Sequence, residues 1–218
     1  LGHDSTDAYF AAFKIPDFFF LTLAAGALGV AFIPILTERL SKSDRKGVWD
    51  LSNSLLNLMA VLMAFVGVVI FVAAEPLMRL VASDLTPEQL HNAATIMRLV
   101  AFNPLMFTIS GVLTAIQQTF GRFFFFAIGP IVYNLCIIAS IFAFRSNIGL
   151  TGLGIGALVG GIIQLLTASL GLTGLGYRYS PRINLKSKDF KRILRQLPPR
   201  SLDQGVDSIN SMVETNRA

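Results

Sequence analysis

The sequence predicts an all-α integral membrane protein, built as a polytopic bundle of helices. Hydrophobic residues make up 53% of the chain and charged residues only 14%, and the mean hydropathy is +0.62. A soluble domain usually carries about 25% charged residues. The hydrophobic residues are concentrated in long segments, and the loops between these segments alternate between many and few Lys and Arg residues.

The apolar segments have the length of membrane-spanning helices, because about 20 residues at 1.5 Å rise cross a hydrocarbon layer of roughly 30 Å. We predict five such helices, at about residues 6–36, 51–74, 87–119, 123–144 and 152–177. A basic, amphipathic linker is predicted at residues 178–200, and residues 201–218 are predicted to begin a sixth helix. We therefore expect the chain to be a fragment of a longer, transporter-like protein.

The Lys and Arg residues predict which loops face the cytoplasm. Most of them fall in residues 37–50, 117–122 and 178–200, whereas the loops on the other side receive only Arg79 and Arg145. Because cytoplasmic loops of membrane proteins are rich in Lys and Arg, we expect those three loops to be cytoplasmic. This topology accounts for the net charge of +5, which makes nucleic-acid binding a poor interpretation of it.

Local signals mark helix ends and contacts. Residues 86–89, Thr-Pro-Glu-Gln, predict a helix start with Thr86 as the N-cap. Pro16, Pro34 and the Asn103-Pro104 pair are expected to kink or end helices locally.

The fifth predicted helix carries a stripe of glycines at four-residue spacing, Gly152, Gly156 and Gly160. Such a stripe lets a second helix approach closely. The alternative is a helix that is simply rich in glycine.

The linker contains a predicted short helix, capped by Ser187. Phe190, Ile193, Leu194 and Leu197 fall on one face, and the basic residues fall elsewhere. A basic amphipathic helix commonly lies in the membrane interface beside anionic lipid. The alternative is a loop that sets topology and has no binding role.

Ionisable residues inside predicted spans are the best functional clue, since each is costly unless it is paired or faces water. Asp7 and Lys14 lie on nearly one stripe of the first helix, and Lys14 and Asp17 are close enough in sequence to pair. We expect Lys14 to attract an anionic substrate while the two carboxylates orient it. The alternative is that Lys14 snorkels to the interface and only bridges its neighbours.

Residues 202–217 combine an apolar stripe with a polar one. The polar stripe consists of Asp203, Asp207, Asn210, Glu214 and Arg217. In a membrane span this face must look onto water, a cation or a headgroup, and Glu214 is then a candidate for binding a coupling cation or proton. In an interfacial or soluble helix the same pattern is an ordinary solvated face.

The residue patterns predict no enzyme. There is no Ser-His-Asp, Cys-His, phosphate-loop or dinucleotide pattern, and His3 and His91 have no second ligand at metal spacing. We expect no cofactor and no metal site beyond the candidate role of Glu214. The phenylalanine runs at 18–20 and 123–126 are expected to face lipid or the interface, and Cys136 is expected to be a small buried hydrophobe.

An ordered set of motifs resembles one known family. Residues 6–17 resemble the opening of the second helix in MurJ/MviN-type lipid II flippases, and Gly26-Ala27 and residues 31–36 continue the match. The remaining matches are Pro104, residues 120–122, Gly129-Pro130 with Asn134, residues 181–184, residues 197–200 and residues 208–210.

The resemblance implies a fold and an activity. Members belong to the multidrug/oligosaccharidyl-lipid/polysaccharide exporter superfamily, in which two helical lobes surround a central cationic cavity. They move lipid II, an undecaprenyl-pyrophosphate-linked glycopeptide, across the bacterial cell membrane by alternating access for cell-wall synthesis. This chain would hold most of the N-terminal lobe, without the family's first helix and most of its second lobe. The positions that match in the first predicted helix are Asp7, Lys14 and Asp17.

The same resemblance implies membrane lipids as further partners and the membrane potential or a cation gradient as the energy source. Two other classes of function remain open. One is an exporter of the same superfamily that moves another lipid-linked polysaccharide or a drug. The other is a membrane scaffold that transports nothing, in which the polar stripe at 203–217 lies on the surface.

Overall fold

The computed structural model describes residues 3–21, 32–82, 86–144, 150–193 and 195, and for residues 3–8 and 150 it describes the backbone alone. Within these ranges the chain forms helices and no strand. The helices are α1 (His3–Phe20), α2 (Ile33–Ser41), α3 (Arg45–Val72), α4 (Ala74–Val81), α5 (Pro87–Val100), α6 (Asn103–Thr119), α7 (Phe124–Phe144) and α8 (Leu150–Leu170). A further helical turn covers residues 188–193.

Within the described residues, four segments are long and apolar enough to cross a membrane. They are α3, α5 together with α6, α7, and Thr151–Leu170 of α8. The predicted all-helical membrane fold is therefore confirmed. The first predicted helix, 6–36, corresponds to α1 and α2, while residues 22–31 between them lie outside the described part, as does the predicted helix start at 201–218.

Two helix boundaries, the start of α3 and the end of α8, differ from those that the hydropathy pattern predicts. Helix α3 begins at Arg45 rather than residue 51, because the side chain of Asp44 caps it by accepting a hydrogen bond from the Gly47 N–H at 2.8 Å. Helix α8 ends at Leu170 rather than residue 177. Beyond it the chain makes turns in which Gly174 and Gly176 adopt φ angles of +77° and +74°, a conformation that ends helices.

The predicted cap before α5 is confirmed. The Thr86 N–H donates to Gln89 Oε1 at 2.9 Å, and the Gln89 N–H donates back to Thr86 Oγ1 at 3.4 Å. The break predicted at Asn103-Pro104 is also present, since α5 stops at Val100 and α6 starts at Asn103. Pro34 differs from expectation. It lies in the first turn of α2 and so begins a helix, a position at which proline is favoured.

The core consists of two apolar clusters, one towards each end of the bundle. At one end, Ala11, Ala12 and Ile15 of α1 pack with residues of α3, α4 and α5. At the other end, α2, α3, α6 and α8 pack together with Phe190 and Ile193. We call residues 177–193 the strap, and the end of the bundle that carries it the strap end.

Close packing of α7 against α8 confirms the prediction from the glycine stripe. A Cβ atom at Gly156 would overlap the side chain of Ser140, and one at Gly160 would lie 2.9 Å from the Tyr133 ring and 3.0 Å from the Tyr133 carbonyl oxygen. The two backbones are therefore too close for any side chain at these positions. This contact holds α7 in place beside a cavity.

Candidate functional site

Helix α1 presents two of its predicted polar residues, Lys14 and Asp17, away from its packed face. Ala11, Ala12 and Ile15 are buried, whereas Lys14 is half-buried and Asp17 is exposed. Lys14 and Asp17 do not form the ion pair that their spacing allows, since no nitrogen–oxygen contact within 4.0 Å joins these two described side chains. Asp7 lies on the backbone of α1 two turns before Lys14, and the structure describes nothing of its side chain.

A cavity of about 350 Å³ lies between α1, α6, α7 and α8. Phe20, the last residue of α1, lines it, and the Phe20 ring lies 5.7 Å from Phe107, whose ring lies 5.1 Å from Tyr133. Phe20 thus contacts protein, whereas the sequence pattern predicts that it faces lipid or the membrane interface. Asp17 precedes Phe20 by one helical turn and shares its side of α1, so the polar stripe of α1 leads towards this cavity.

The cavity wall contains polar groups that the sequence-based prediction omits. Ser110 and Thr114 of α6 line the cavity with Gln164 of α8. The Thr114 hydroxyl donates to the Ser110 carbonyl at 2.9 Å, whereas the Ser110 Oγ is buried and has no hydrogen-bond partner among the described residues. The sequence carries a weak signal for these polar groups, which is the recurrence of Ser110, Thr114 and Gln117 at helical spacing within an otherwise apolar span.

The cavity carries no formal charge of its own. All the residues that line it are uncharged: Phe20, Phe107, Ser110, Gly111, Thr114, Phe125, Phe126, Gly129, Pro130, Tyr133, Gln164 and Ala168. Such a wall suits an apolar chain or uncharged polar groups. The nearest predicted source of positive charge in α1 is Lys14, two turns before Phe20.

The strap end is held by ion pairs and apolar contacts. The Arg39 guanidinium donates to Asp189 at 2.7 Å and to Asp44 at 2.8 Å. Phe190 and Ile193 are fully buried in the protein core. The two described residues of the predicted apolar face therefore pack on protein and not in the lipid interface, whereas Leu194 and Leu197 of that face lie outside the described residues.

Basic side chains project from the strap end. Arg178, Arg182, Lys186, Lys188, Lys191, Arg192 and Arg195 are all exposed. They share this end with Lys42, whose ammonium donates to Glu38 at 2.7 Å. That hydrogen bond lowers the pKa of the Glu38 carboxyl below its usual value.

The remaining predicted site residues lie outside the described part of the chain. These are Asp203, Asp207, Asn210, Glu214 and Arg217. Within the described ranges, no group of three or more His, Cys, Asp and Glu side chains is arranged to hold a metal ion.

Comparison with known proteins finds relatives of this chain. The family model described as "Lipid II flippase MurJ" matches residues 2–218. The "Probable lipid II flippase MurJ" of Borreliella burgdorferi is 25% identical over 188 residues, which cover 86% of this chain and 37% of the relative. The "Lipid II flippase MurJ" of Burkholderia cenocepacia is 26% identical over 221 residues, which cover 98% of this chain and 43% of the relative.

A solved structure shows the same fold. The protein described as "Lipid II flippase MurJ, inward closed conformation" superposes with a TM-score of 0.76 at 23% identity, over 98% of this chain and 44% of that one. The chain therefore spans about two fifths of the length of the curated relatives it matches. Because the family model covers nearly every residue, this multi-pass membrane chain belongs to the MurJ family of lipid II flippases.

Proposed function

We propose that this chain forms most of one lobe of a flippase that moves lipid II across the bacterial cytoplasmic membrane for cell-wall synthesis. The observation that carries the proposal is the match of the family model to residues 2–218. The helical bundle and its lateral cavity supply the geometry, since a flippase needs a polar path for the headgroup and an apolar path for the lipid tail.

The proposed substrate path begins on α1. Lys14 compensates part of the pyrophosphate charge, and Asp7 and Asp17 orient the headgroup beside it. Asp207, Asn210, Glu214 and Arg217 contribute a second wall. The uncharged cavity beyond Phe20 borders this path and accommodates apolar or uncharged portions of the substrate.

Transport needs no covalent chemistry, so we assign the chain no enzymatic step and no cofactor. The two lobes of the whole protein rock about the bound substrate and expose it to alternate sides. The membrane potential does about 2.3 kcal/mol of work per charge per 100 mV, which is enough to bias such states. Glu214 is the proposed position for a coupling cation or proton.

The proposed orientation puts the strap end in the cytoplasm. Its support is the distribution of charge among the described residues, because the strap end carries the loops rich in Lys and Arg, while the opposite end carries Lys14, Arg79 and Arg98. Arg98 is moreover paired with Glu75 at 3.3 Å. Positive charge concentrated on one side marks the cytoplasmic side.

Complementation tests this function. The full-length parent, with Lys14→Ala and Asp7→Ala variants, is expressed in bacteria depleted of their own lipid II flippase. Lys46→Ala is the control, since Lys46 is an exposed cation at the strap end. We expect the parent and the control to restore growth and the two α1 variants to fail at equal membrane abundance.

The other outcomes are equally decisive. Failure of a well-inserted parent contradicts lipid II transport and points to another substrate of the superfamily. Rescue by all four proteins supports lipid II transport and contradicts the role given to Lys14 and Asp7.

A further inference from the structure

Two asparagines on α3 bind the strap in the same way. Asn53 Nδ2 donates to the Arg178 carbonyl at 3.0 Å, and Asn53 Oδ1 accepts from the Tyr177 hydroxyl at 2.6 Å. One helical turn further on, Asn57 repeats this pattern. Its Nδ2 donates to two strap carbonyls, and its Oδ1 accepts from the Tyr179 hydroxyl at 2.8 Å.

The contacts define the path of the strap. From Tyr177 it advances along α3 as far as Asn57, whose amide reaches the carbonyls of Ser180 at 2.7 Å and Arg182 at 3.1 Å. It then returns, because the Asn184 N–H donates to the Ser54 hydroxyl at 3.0 Å. The strap therefore folds back over one turn of α3, with Pro181 inside the fold.

Both asparagines are enclosed by this arrangement. Asn53 is 3% exposed and Asn57 is 7% exposed. A buried amide that lacks partners is costly, whereas here the nitrogen and the oxygen of each amide are both engaged. The asparagines thus match the strap backbone and its tyrosines, and an apolar residue of similar size could not replace these contacts.

Further along, a second set of contacts anchors the strap. Asp189 pairs with Arg39 of α2 at 2.7 Å, and Phe190 and Ile193 are buried in the core beside α2 and α3. The strap is therefore attached at both ends, first to α3 and then to α2. It continues in sequence towards residues 201–218, which are predicted to begin the first helix of the second lobe.

We propose that Asn53 and Asn57 are positioning residues that lock the strap to α3, so that the connection towards the second lobe moves as one body with this bundle. Movement of α3 is then transmitted directly to the chain that leaves the strap. This inference deepens the proposed function. Only its consequence for transport rests on that function. The attachment itself is measurable without any substrate.

Pulsed electron paramagnetic resonance measures the attachment in the full-length parent. Spin labels are placed at Lys46→Cys on α3 and Arg182→Cys on the strap, both exposed positions, with Cys136 and any other native cysteine replaced. The parent is expected to give one narrow distance distribution. The Asn53→Ala/Asn57→Ala variant is expected to broaden it at least two-fold.

A milder variant and a matched control accompany it. Tyr177→Phe/Tyr179→Phe removes only the two hydroxyls and keeps both rings, and it should broaden the distribution by a smaller amount in a protein that still folds. Ser52→Ala is the control, because the Ser52 Oγ lies buried on the same helix and has no hydrogen-bond partner among the described residues. It should leave the distribution narrow.

The results separate this inference from the proposed function. Unchanged widths in both the asparagine and the tyrosine variants overturn the inference, even if the parent restores growth in a flippase-depleted strain. Broadening in these variants but not in Ser52→Ala supports it, even if the parent proves to move a different substrate. If lipid II is the substrate, the broadened variants should also lose at least ten-fold in flipping rate at equal membrane abundance.

Discussion

Arg39 and Asp189 lie 150 residues apart in sequence and form a 2.7 Å hydrogen-bonded ion pair that joins α2 to the strap. Their side chains are 27% and 31% exposed, so the pair is partly shielded from water. Arg39 also bonds Asp44, the N-cap of α3. One guanidinium therefore connects three parts of the strap end.

Loss of this pair should loosen the strap end. We expect Asp189→Ala to lower the free energy of unfolding by about 1 kcal/mol, the upper range for partly exposed pairs. Thermal unfolding in detergent measures the change, and high salt should reduce it. Glu38→Ala is the comparison, since its exposed pair with Lys42 should contribute less. An equal effect of both variants would contradict the importance of the Asp189 contact.

Ionisation of Tyr177 should lower the stability of the folded protein at alkaline pH. Burial, with a smaller effect of Tyr179, raises the pKa of Tyr177 from 10.0 to about 12. The folded-state pKa is the higher one, so this contribution is fully present below pH 10 and is lost as the pH rises towards 12. Phenolate absorbance during titration should show one tyrosine fewer ionising near pH 12 in Tyr177→Phe than in the parent. A Tyr177 midpoint near 10 would show that the hydroxyl is exposed.

The α7–α8 contact should not tolerate a side chain at Gly156. A Cβ there overlaps Ser140, so Gly156→Ala must push the helices apart, and overpacking of this kind costs about 1–3 kcal/mol. Gly129→Ala is the control on α7, because its Cβ would lie 3.5 Å from the Gln164 Cγ, an ordinary contact. Thermal unfolding of both variants measures the difference, and equal melting temperatures would argue against the close approach.

Substitution of Ser110 in the cavity wall should have the opposite effect on stability to substitution of Gly156. Its buried Oγ has no hydrogen-bond partner among the described residues, so Ser110→Ala should leave stability unchanged or raise it by up to about 1 kcal/mol. Gln117→Ala should instead destabilise, because the Gln117 amide donates to the Ala168 carbonyl at 2.7 Å and joins α6 to α8. Chemical unfolding compares the two. A clear loss of stability in Ser110→Ala would reveal a bound water or other partner at that hydroxyl.

Local sequence signals predict those features that depend on a few neighbouring residues. The cap at Thr86 needs only Gln89 three positions later, and the glycine stripe needs only regular spacing. Both are present in the structure. The hydropathy pattern does not locate the end of α8, because residues 171–177 remain largely apolar while the glycines among them turn the chain.

The sequence by itself determined the all-helical membrane class, the alternation of charge between loops and several helix ends. These properties follow from composition and local spacing, since each helix satisfies its own backbone. Only the tertiary structure decided that Phe190 packs on protein, that Phe20 lines a cavity with Ser110, and that Asn57 binds the strap. An apolar face or a buried amide specifies the chemistry of its partner, and the identity of that partner depends on contacts between residues far apart in the chain.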